Sequence, residues 1–193
     1  APTAVGGLYE VDMRLRPSGK AGMLATRIDA FEHYQLNEAW TWEHMALTRA
    51  RVVCGDPAFS ARVEAVMHDV LSTPRDAAAI ARDVCDMRVR VQKEKGSADI
   101  WNVKAVAGGL TDIEFITQYL VLANAHAHPE LLAGSTSAAL RALREAGLVD
   151  AGSAETLLAA AALFSRVLQV LRLSVMGSFD PATAPRGLAG LLA

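Results

Sequence analysis

The 193-residue chain has few of the features that define several large classes of protein. Its two cysteines, Cys54 and Cys85, have no metal-ligand spacing, which favours reduced thiols of a cytosolic protein over a disulfide. The formal net charge is only -2 and neither end carries an acidic or basic tail, so nucleic acid is not an expected partner. The sequence also contains no Walker loop, GxSxG motif, CxxC motif or paired-histidine motif, which leaves the commonest phosphate-loop, hydrolase and metalloprotease classes without support.

The chain also has no uninterrupted hydrophobic run. Its most apolar region, residues 157–175, falls short of the roughly 20 predominantly apolar residues that a membrane span needs, because four polar residues interrupt it: Ser165, Arg166, Gln169 and Arg172. We therefore predict a buried helix in a soluble, cytoplasmic protein with no membrane partner. The N-terminus has no basic stretch before an apolar segment, as a secretory signal would. Since the chain begins without Met and almost directly inside a strand pattern, we expect it to be a piece of a longer protein.

Hydrophobic periodicity predicts a mainly α fold, a helical bundle that follows a short β remnant. Residues 7–17 alternate between apolar and charged side chains, which is the pattern of a strand. A turn at 17–20 and a short second strand at 22–26 would complete a hairpin. The remaining sequence predicts helices at 28–38, 40–53, 57–71, 75–95, 111–125, 136–146 and 154–176. The regular charges of the fourth predict a solvated outer face.

Two helix starts have recognisable signals. Asp56 followed by Pro57 suits an N-cap and a first helical position, where the missing N–H of proline costs nothing. Thr111 and Glu114 match the capping-box spacing Thr-x-x-Glu. The hydrophobic content of 52% is ample for filling a core between such helices.

The strongest chemical feature is the strand triplet Asp12, Arg14 and Arg16, whose side chains lie on one face of a strand. The carboxylate suits Mg²⁺, which prefers oxygen ligands, and each guanidinium offers a planar fork to phosphate oxygens. A salt-bridged, exposed strand face explains the same triplet. The triplet is incomplete as a site for two-metal nucleotidyl transfer. Such a site needs several carboxylates to hold its two metal ions, and Glu10 is the one further acid nearby in the sequence.

Two further segments have both a structural and a functional interpretation. In residues 40–51, Trp40, Trp42 and Glu43 at helical spacing favour core packing and an arginine ion pair, and the alternative is an arginine that reaches a nucleotide phosphate. In residues 104–114, a glycine pair before a helix offers free N–H groups to an anion, with Lys104 adding a charge. Turn formation and helix capping explain that second segment equally well.

Taken in order, these three segments resemble one family. Residues 8–19 (LYEVDMRLRPSG), 39–51 and 108–120 are similar to the glutamine synthetase adenylyltransferases of bacteria, and the resemblance extends through about Leu122. The family's parent enzyme has two nucleotidyltransferase halves. One attaches AMP from ATP to a tyrosine of glutamine synthetase and the other removes it, under the control of PII-type signal proteins and glutamine. Residues 40–44 (WTWEH) and the turn at 16–19 (RPSG) resemble the C-terminal, adenylylating half.

The resemblance implies roles for particular residues. Asp12 would be the third member of a carboxylate triad that binds Mg²⁺, with Arg14 and Arg16 at the nucleotide phosphates. Lys104, Asp112 and Glu114 would be further nucleotide-binding candidates. The Gly-Ser loop and Asp-x-Asp pair that complete such a site are absent from this sequence, so we expect the isolated chain to be inactive.

The resemblance also divides the chain into a nucleotidyltransferase remnant at 1–54 and a helical regulatory domain at 55–193. A rival hypothesis from a different class is a non-catalytic interaction module that docks glutamine synthetase or a PII-type regulator. Under that hypothesis the charged helix carries the docking surface, with Arg88 and Arg90 as test positions.

Overall fold

The computed structural model describes residues 2–3, 6–7, 12–13, 15–175, 179–180, 182–183, 185, 187–188 and 190. The predicted mainly helical fold is confirmed over these residues. The α-helices are α1 (Ile28–Asn37), α2 (Thr41–Leu47), α3 (Pro57–Leu71), α4 (Ala77–Lys95), α5 (Leu110–Asn124), α6 (Thr136–Glu145) and α7 (Ala151–Ser174). Short 3-10 turns occur at Gly19–Ala21 and Pro129–Leu131.

Strand pairing in the described part of the chain is limited to one two-residue ladder and an isolated parallel bridge between Ser97 and Val106. β1 (Pro2–Thr3) pairs with β2 (Gly6–Gly7) in an antiparallel register. Of the predicted strand at 7–17, Gly7 belongs to β2 and residues 8–11 and 14 lie outside the described residues. The prediction was wrong for residues 12–13 and 15–17, which form no strand, and no nucleotidyltransferase sheet is seen in the described part of the chain. The predicted second strand at 22–26 is wrong, because these residues form bends without a partner strand.

Helix boundaries follow local hydrogen bonding. Asp56 caps α3 as predicted: its carboxylate accepts the backbone N–H groups of Ala58 and Phe59, both at 3.0 Å. The predicted helix at 40–53 was too long, since α2 ends at Leu47. Beyond this point the N–H of Ala50 bonds back to the carbonyl of Leu47, so the chain makes a turn instead of continuing the α-helical ladder.

Two connected hydrophobic clusters form the core, and α5 contributes to both. The first joins α5, α6 and α7, and its buried members are Ile113, Val121, Ala125, Leu131, Ala139, Leu140, Leu143 and Ala161. The second joins α2, α3, α4 and α5 through Met45, Leu71, Ile80, Val84 and Leu122. Helix α2 therefore shares a core with helices on the far side of the boundary predicted at residue 54, and that domain boundary stays a prediction.

Helix α7 is much more exposed than the sequence predicted. Only Ala154 and Ala161 are buried along it, whereas Leu163 and Leu173 are 57% and 89% exposed. The prediction of a buried helix was wrong because only one stripe of an apolar helix meets α5 and α6. By length and composition α7 is the single described helix that passes for a membrane span, a test that core helices of soluble proteins also pass.

Candidate functional site

A cleft of about 770 Å³ lies between the segment at 15–26 and helices α1, α2, α4 and α5. Its walls are mainly apolar, with aromatic and methionine side chains on several sides. They include Phe31, Trp42, Met45, Met87 and Phe115. Two of the predicted nucleotide-binding residues, Arg16 and Glu114, line the same cleft although they are far apart in sequence.

Arg16 shapes one wall of this cleft. Its Nε donates to the carbonyl of Gly22 at 3.0 Å and its Nη2 to that of Lys20 at 3.3 Å, and Nη1 donates to the carbonyl of Met13. These bonds fold the segment after Pro17 back on itself, which explains why no second strand forms there. These hydrogen bonds go to neutral carbonyl groups, and the Arg16 guanidinium, cationic like that of any arginine, lies beside the cleft.

The other two residues of the strand triplet are less fully described. Asp12 is exposed and lies shortly before the Arg16 turn. Arg14 lies outside the described residues. Within the described part of the chain no group of three His, Cys, Asp or Glu side chains is placed to hold a metal ion. The acids described here therefore do not by themselves fit a resident Mg²⁺ site, and Asp12 stays a predicted ligand.

Glu114 forms an ion pair with Arg49 across the cleft wall. The Nη1–Oε1 distance is 2.5 Å, and the side chains are 43% exposed for Arg49 and 24% exposed for Glu114. This pair ties the turn after α2 to the first turns of α5. The predicted capping box with Thr111 was wrong, because α5 begins at Leu110 and the Thr111 hydroxyl instead donates to the carbonyl of Lys104 at 2.6 Å.

Asp112 forms a bidentate ion pair with Arg88 of α4. Arg88 Nη2 lies 2.9 Å from Oδ2, and Nε donates to Oδ1. The backbone N–H of Gly108 also donates to Oδ2 at 2.6 Å. The hydrogen bonds from the Arg88 guanidinium, together with that N–H, hold the pKa of the Asp112 carboxyl below its ordinary value. Asp112 and Glu114 thus diverge, as predicted, and each binds a different arginine.

Lys104 lies at a second, smaller cavity of about 390 Å³ next to the first. Arg88 and Lys95 also line it, so three cationic side chains surround this pocket. Glu114 lines both cavities and stands between them. Asp112 is paired with Arg88. Within the described structure, Lys95 and Lys104 form no ion pair.

The glycine pair before α5 does not offer free N–H groups to an anion, as one interpretation of the sequence suggested. The N–H of Gly108 binds Asp112, that of Gly109 binds the carbonyl of Val106 at 3.0 Å, and that of Leu110 binds the carbonyl of Val103 at 2.8 Å. Gly109 is needed for close packing, since a Cβ there would lie 2.4 Å from the carbonyl oxygen of Val103. The pair is therefore a turn that seats α5.

The tryptophans near α2 are not core residues. Trp40 is 71% exposed and Trp42 is 38% exposed at the cleft, so the predicted core packing was wrong. Glu43 does not pair with an arginine either. It accepts a hydrogen bond from the Tyr34 hydroxyl at 3.0 Å and another from the backbone N–H of Trp40 at 2.9 Å. These bonds fix the corner between α1 and α2.

Sequence patterns did not single out Gln35, and they marked His44 only as part of the segment at 39–51, without a role of its own. Gln35 is a buried residue of the cleft wall, and its Oε1 has no hydrogen-bond partner among the described residues. The carbonyl of Gln35 lies 2.9 Å from His44 Nε2. Burial lowers the pKa of His44, and the charge of Arg75 lowers it further. No motif marks Gln35, and for both residues only burial in the fold indicates a special environment.

Comparison with known proteins identifies the class of the chain. Residues 1–66 match the family model described as glutamate-ammonia ligase adenylyltransferase. Residues 81–176 match the model described as GlnD PII-uridylyltransferase. Both descriptions name enzymes that transfer a nucleotidyl group.

Curated relatives refine this class to a family. The bifunctional glutamine synthetase adenylyltransferase/adenylyl-removing enzyme of Rhodopseudomonas palustris is 52% identical over 182 residues, 94% of this chain and 18% of the relative. The enzymes of the same name from a Bradyrhizobium species and Xanthobacter autotrophicus are 50% and 49% identical, each over 99% of this chain and 19% of the relative. The chain belongs to this family, as the sequence resemblance predicted, and spans about a fifth of the length of these relatives.

Proposed function

We propose that the chain is part of an enzyme that transfers AMP from ATP to a tyrosine of glutamine synthetase, and that it contributes a nucleotide-binding cleft. The observation that carries this proposal is the convergence of Arg16 and Glu114 on one cavity of about 770 Å³. The two residues come from the separate segments that the resemblance assigned to the nucleotide. Membership of the adenylyltransferase family supplies the reaction type.

The proposed reaction requires groups that position the nucleotide and stabilise its phosphate charge, and the described residues supply some of them. The tyrosine oxygen attacks the α-phosphorus of ATP, the bond to the β-phosphate oxygen breaks, and pyrophosphate leaves. Positioning and charge stabilisation supply most of the catalysis in such phosphoryl transfers. In this proposal Arg16, with its charge intact at the cleft, and Lys104, at the neighbouring pocket, stabilise phosphate charge. Arg14, which lies outside the described residues, is proposed to assist them.

Asp112 and Glu114 have a different proposed part. Each is bound to an arginine, so neither offers a free carboxylate to a nucleotide. We assign them to positioning: Glu114 holds Arg49 at the cleft, and Asp112 holds Arg88 at the adjoining pocket. Asp12 is proposed as one of several carboxylates that bind Mg²⁺, and the others would come from outside this sequence.

Because the other metal-binding carboxylates would come from outside this sequence, the isolated chain should be inactive: one carboxylate is too few for two-metal nucleotidyl transfer. The test measures labelled AMP incorporated from ATP into glutamine synthetase. The full-length enzyme that contains this chain should label its target, and the 193-residue chain alone should not. Turnover by the chain alone would refute the inactivity, and failure of the full-length enzyme would refute the proposed function.

A second candidate function, the docking of glutamine synthetase or a PII-type regulator in the cytoplasm, is favoured by helix α4. Its outer residues are exposed and charged, and residues 81–176 match the GlnD PII-uridylyltransferase model. Arg90 is exposed there, whereas Arg88 is bound to Asp112 and is unsuitable as a surface test. Arg90→Glu should weaken binding of one of these partners if α4 docks it. Unchanged binding of both would count against this function.

A further inference from the structure

Gln35 lines the main cleft and carries a buried hydrogen-bond acceptor, Oε1, without a partner among the described residues. The residue is 7% exposed. Leaving a buried acceptor unpaired costs about 1–3 kcal/mol, and most buried polar atoms in proteins are paired. An unpaired acceptor on a residue of a mainly apolar wall therefore points to a donor that arrives with a ligand.

The surroundings of Gln35 indicate the shape of that ligand. Phe31, Trp42 and Phe115 also line the cleft, so flat side chains are available to stack on a planar ring. Stacking of a base on an aromatic side chain is worth about 1–3 kcal/mol. A planar, mainly apolar ring with an N–H donor at its edge matches both the aromatic lining and the unpaired oxygen.

We propose that the cleft binds the adenine ring of ATP and that the Gln35 side chain rotates so that its buried Oε1 accepts a hydrogen bond from the exocyclic amino group. This inference rests on the proposed function, which supplies ATP as the substrate, and it adds a specificity residue to that site. Arg16 lines the same cleft, so the proposed base and a cation for its phosphates share one cavity. With Oε1 toward the ring, an oxo group in place of the amino group would bring a second acceptor against it, so binding would require the Gln35 amide to turn its NH₂ group toward the ring.

The methionines of the chain allow a direct test by NMR with ¹³C-methyl labelling. Met45 and Met87 line the cleft, whereas Met67 on α3 does not and serves as an internal control. Titration of the 193-residue chain with adenosine should shift the first two signals saturably and leave the third in place. Inosine, which carries the oxo group, should bind at least about tenfold more weakly, equivalent to about 1.4 kcal/mol.

The variant Gln35→Leu separates a recognition role from a structural one. It should weaken adenosine binding at least about tenfold and abolish the preference over inosine. It should also raise the melting temperature, because an apolar group replaces an unpaired polar one. Gln92→Leu is the matched control: Gln92 lines the neighbouring pocket and its Oε1 is already bonded to Arg88 at 2.8 Å. That control should leave adenosine binding unchanged.

Several outcomes would overturn the inference: no saturable shift of Met45 and Met87, equal binding of adenosine and inosine, or normal adenosine binding by Gln35→Leu. The adenine subsite can be tested separately from the proposed function. In the full-length enzyme, Gln35→Leu should raise the KM for ATP at least about tenfold in AMP transfer to glutamine synthetase. If transfer proceeds with an unchanged KM, the adenine subsite is wrong and the proposed function stands.

Discussion

Arg49 and Glu114 form an ion pair with an N–O distance of 2.5 Å that joins the turn after α2 to the first turns of α5. These elements come from the two stretches that match different family models, residues 1–66 and 81–176. The contact therefore connects the adenylyltransferase-like segment to the uridylyltransferase-like segment at the wall of the candidate site.

Breaking this pair should cost a modest amount of stability. Because Arg49 remains 43% exposed, water can solvate it once Glu114 is neutral. We expect a coupling free energy of about 0.5–1 kcal/mol in a double-mutant cycle of Arg49→Met and Glu114→Gln, measured by urea unfolding. A coupling indistinguishable from zero would show that the pair does not join the two segments energetically.

Asp112→Asn should be more damaging, since it removes one partner of a bidentate pair whose side chains are only 17% exposed for Arg88 and 26% for Asp112. We expect a loss of about 1–3 kcal/mol in the free energy of unfolding. Asp69→Asn is the control, because Asp69 is 79% exposed, and it should change stability by less than about 0.5 kcal/mol. Equal effects from the two variants would contradict the assigned role.

The same pair predicts a pH dependence at acid pH. The pKa of Asp112 is lower in the folded chain than in the unfolded chain, so the unfolded state binds the proton first as pH falls. The stabilisation is therefore complete above the ordinary Asp pKa of about 3.9 and is lost as pH falls through the lower folded value. Asp112→Asn should remove this part of the acid dependence. If the stability curve of Asp112→Asn runs parallel to that of the wild type, the linkage is absent.

His44 predicts a second pH dependence at milder pH. Burial and the charge of Arg75 lower its pKa in the folded chain, against opposing effects from the Gln35 carbonyl and Glu43. The unfolded chain therefore binds more protons between the folded pKa and the ordinary value of about 6.5, and stability should fall as pH falls through that window. Thermal melts of His44→Gln should show a weaker dependence there than wild type. The exposed His126→Gln should behave as wild type, and a matching loss in that control would contradict the assignment.

Gly109 should not tolerate a side chain. A Cβ at this position would lie 2.4 Å from the carbonyl oxygen of Val103 and 2.8 Å from that of Val106. Gly109→Ala should therefore destabilise the chain by about 1–3 kcal/mol in chemical unfolding. Gly152→Ala in α7 is a control of opposite sign, since only a 3.5 Å contact is met there and alanine favours a helix by about 0.5–1 kcal/mol. Similar effects from both would show that crowding is not the cause.

The sequence predicted those parts of the fold that depend on local signals. Helix α3 was predicted correctly from Asp56, Pro57 and its apolar periodicity, because its N-terminal cap is local. The end of α2 was missed because residues 48–53 carry no glycine or proline, and a turn there depends on contacts distant in sequence. The exposure of α7 was missed because composition gives the hydrophobicity of a helix and not the area that its neighbours cover.

The contacts of the candidate site were likewise beyond what local sequence signals could predict. The resemblance drew attention to Asp112 and Glu114, but their partners Arg88 and Arg49 lie in other helices or turns and no spacing rule connects them. Gln35 carried no sequence signal, since a glutamine within a helical pattern is ordinarily exposed. The roles of Asp12, Arg14, Arg16 and Lys104 stay predictions.

The most direct test of the account is AMP transfer from labelled ATP to glutamine synthetase by the full-length enzyme, with wild type compared to Asp12→Asn and to the control Asp69→Asn. The account predicts a loss of at least about a hundredfold for Asp12→Asn, about 2.7 kcal/mol of barrier, with binding of glutamine synthetase intact and the control unaffected. If Asp12→Asn keeps most of the wild-type rate, Asp12 is a structural acid and the placement of the reacting nucleotide beside this segment is contradicted.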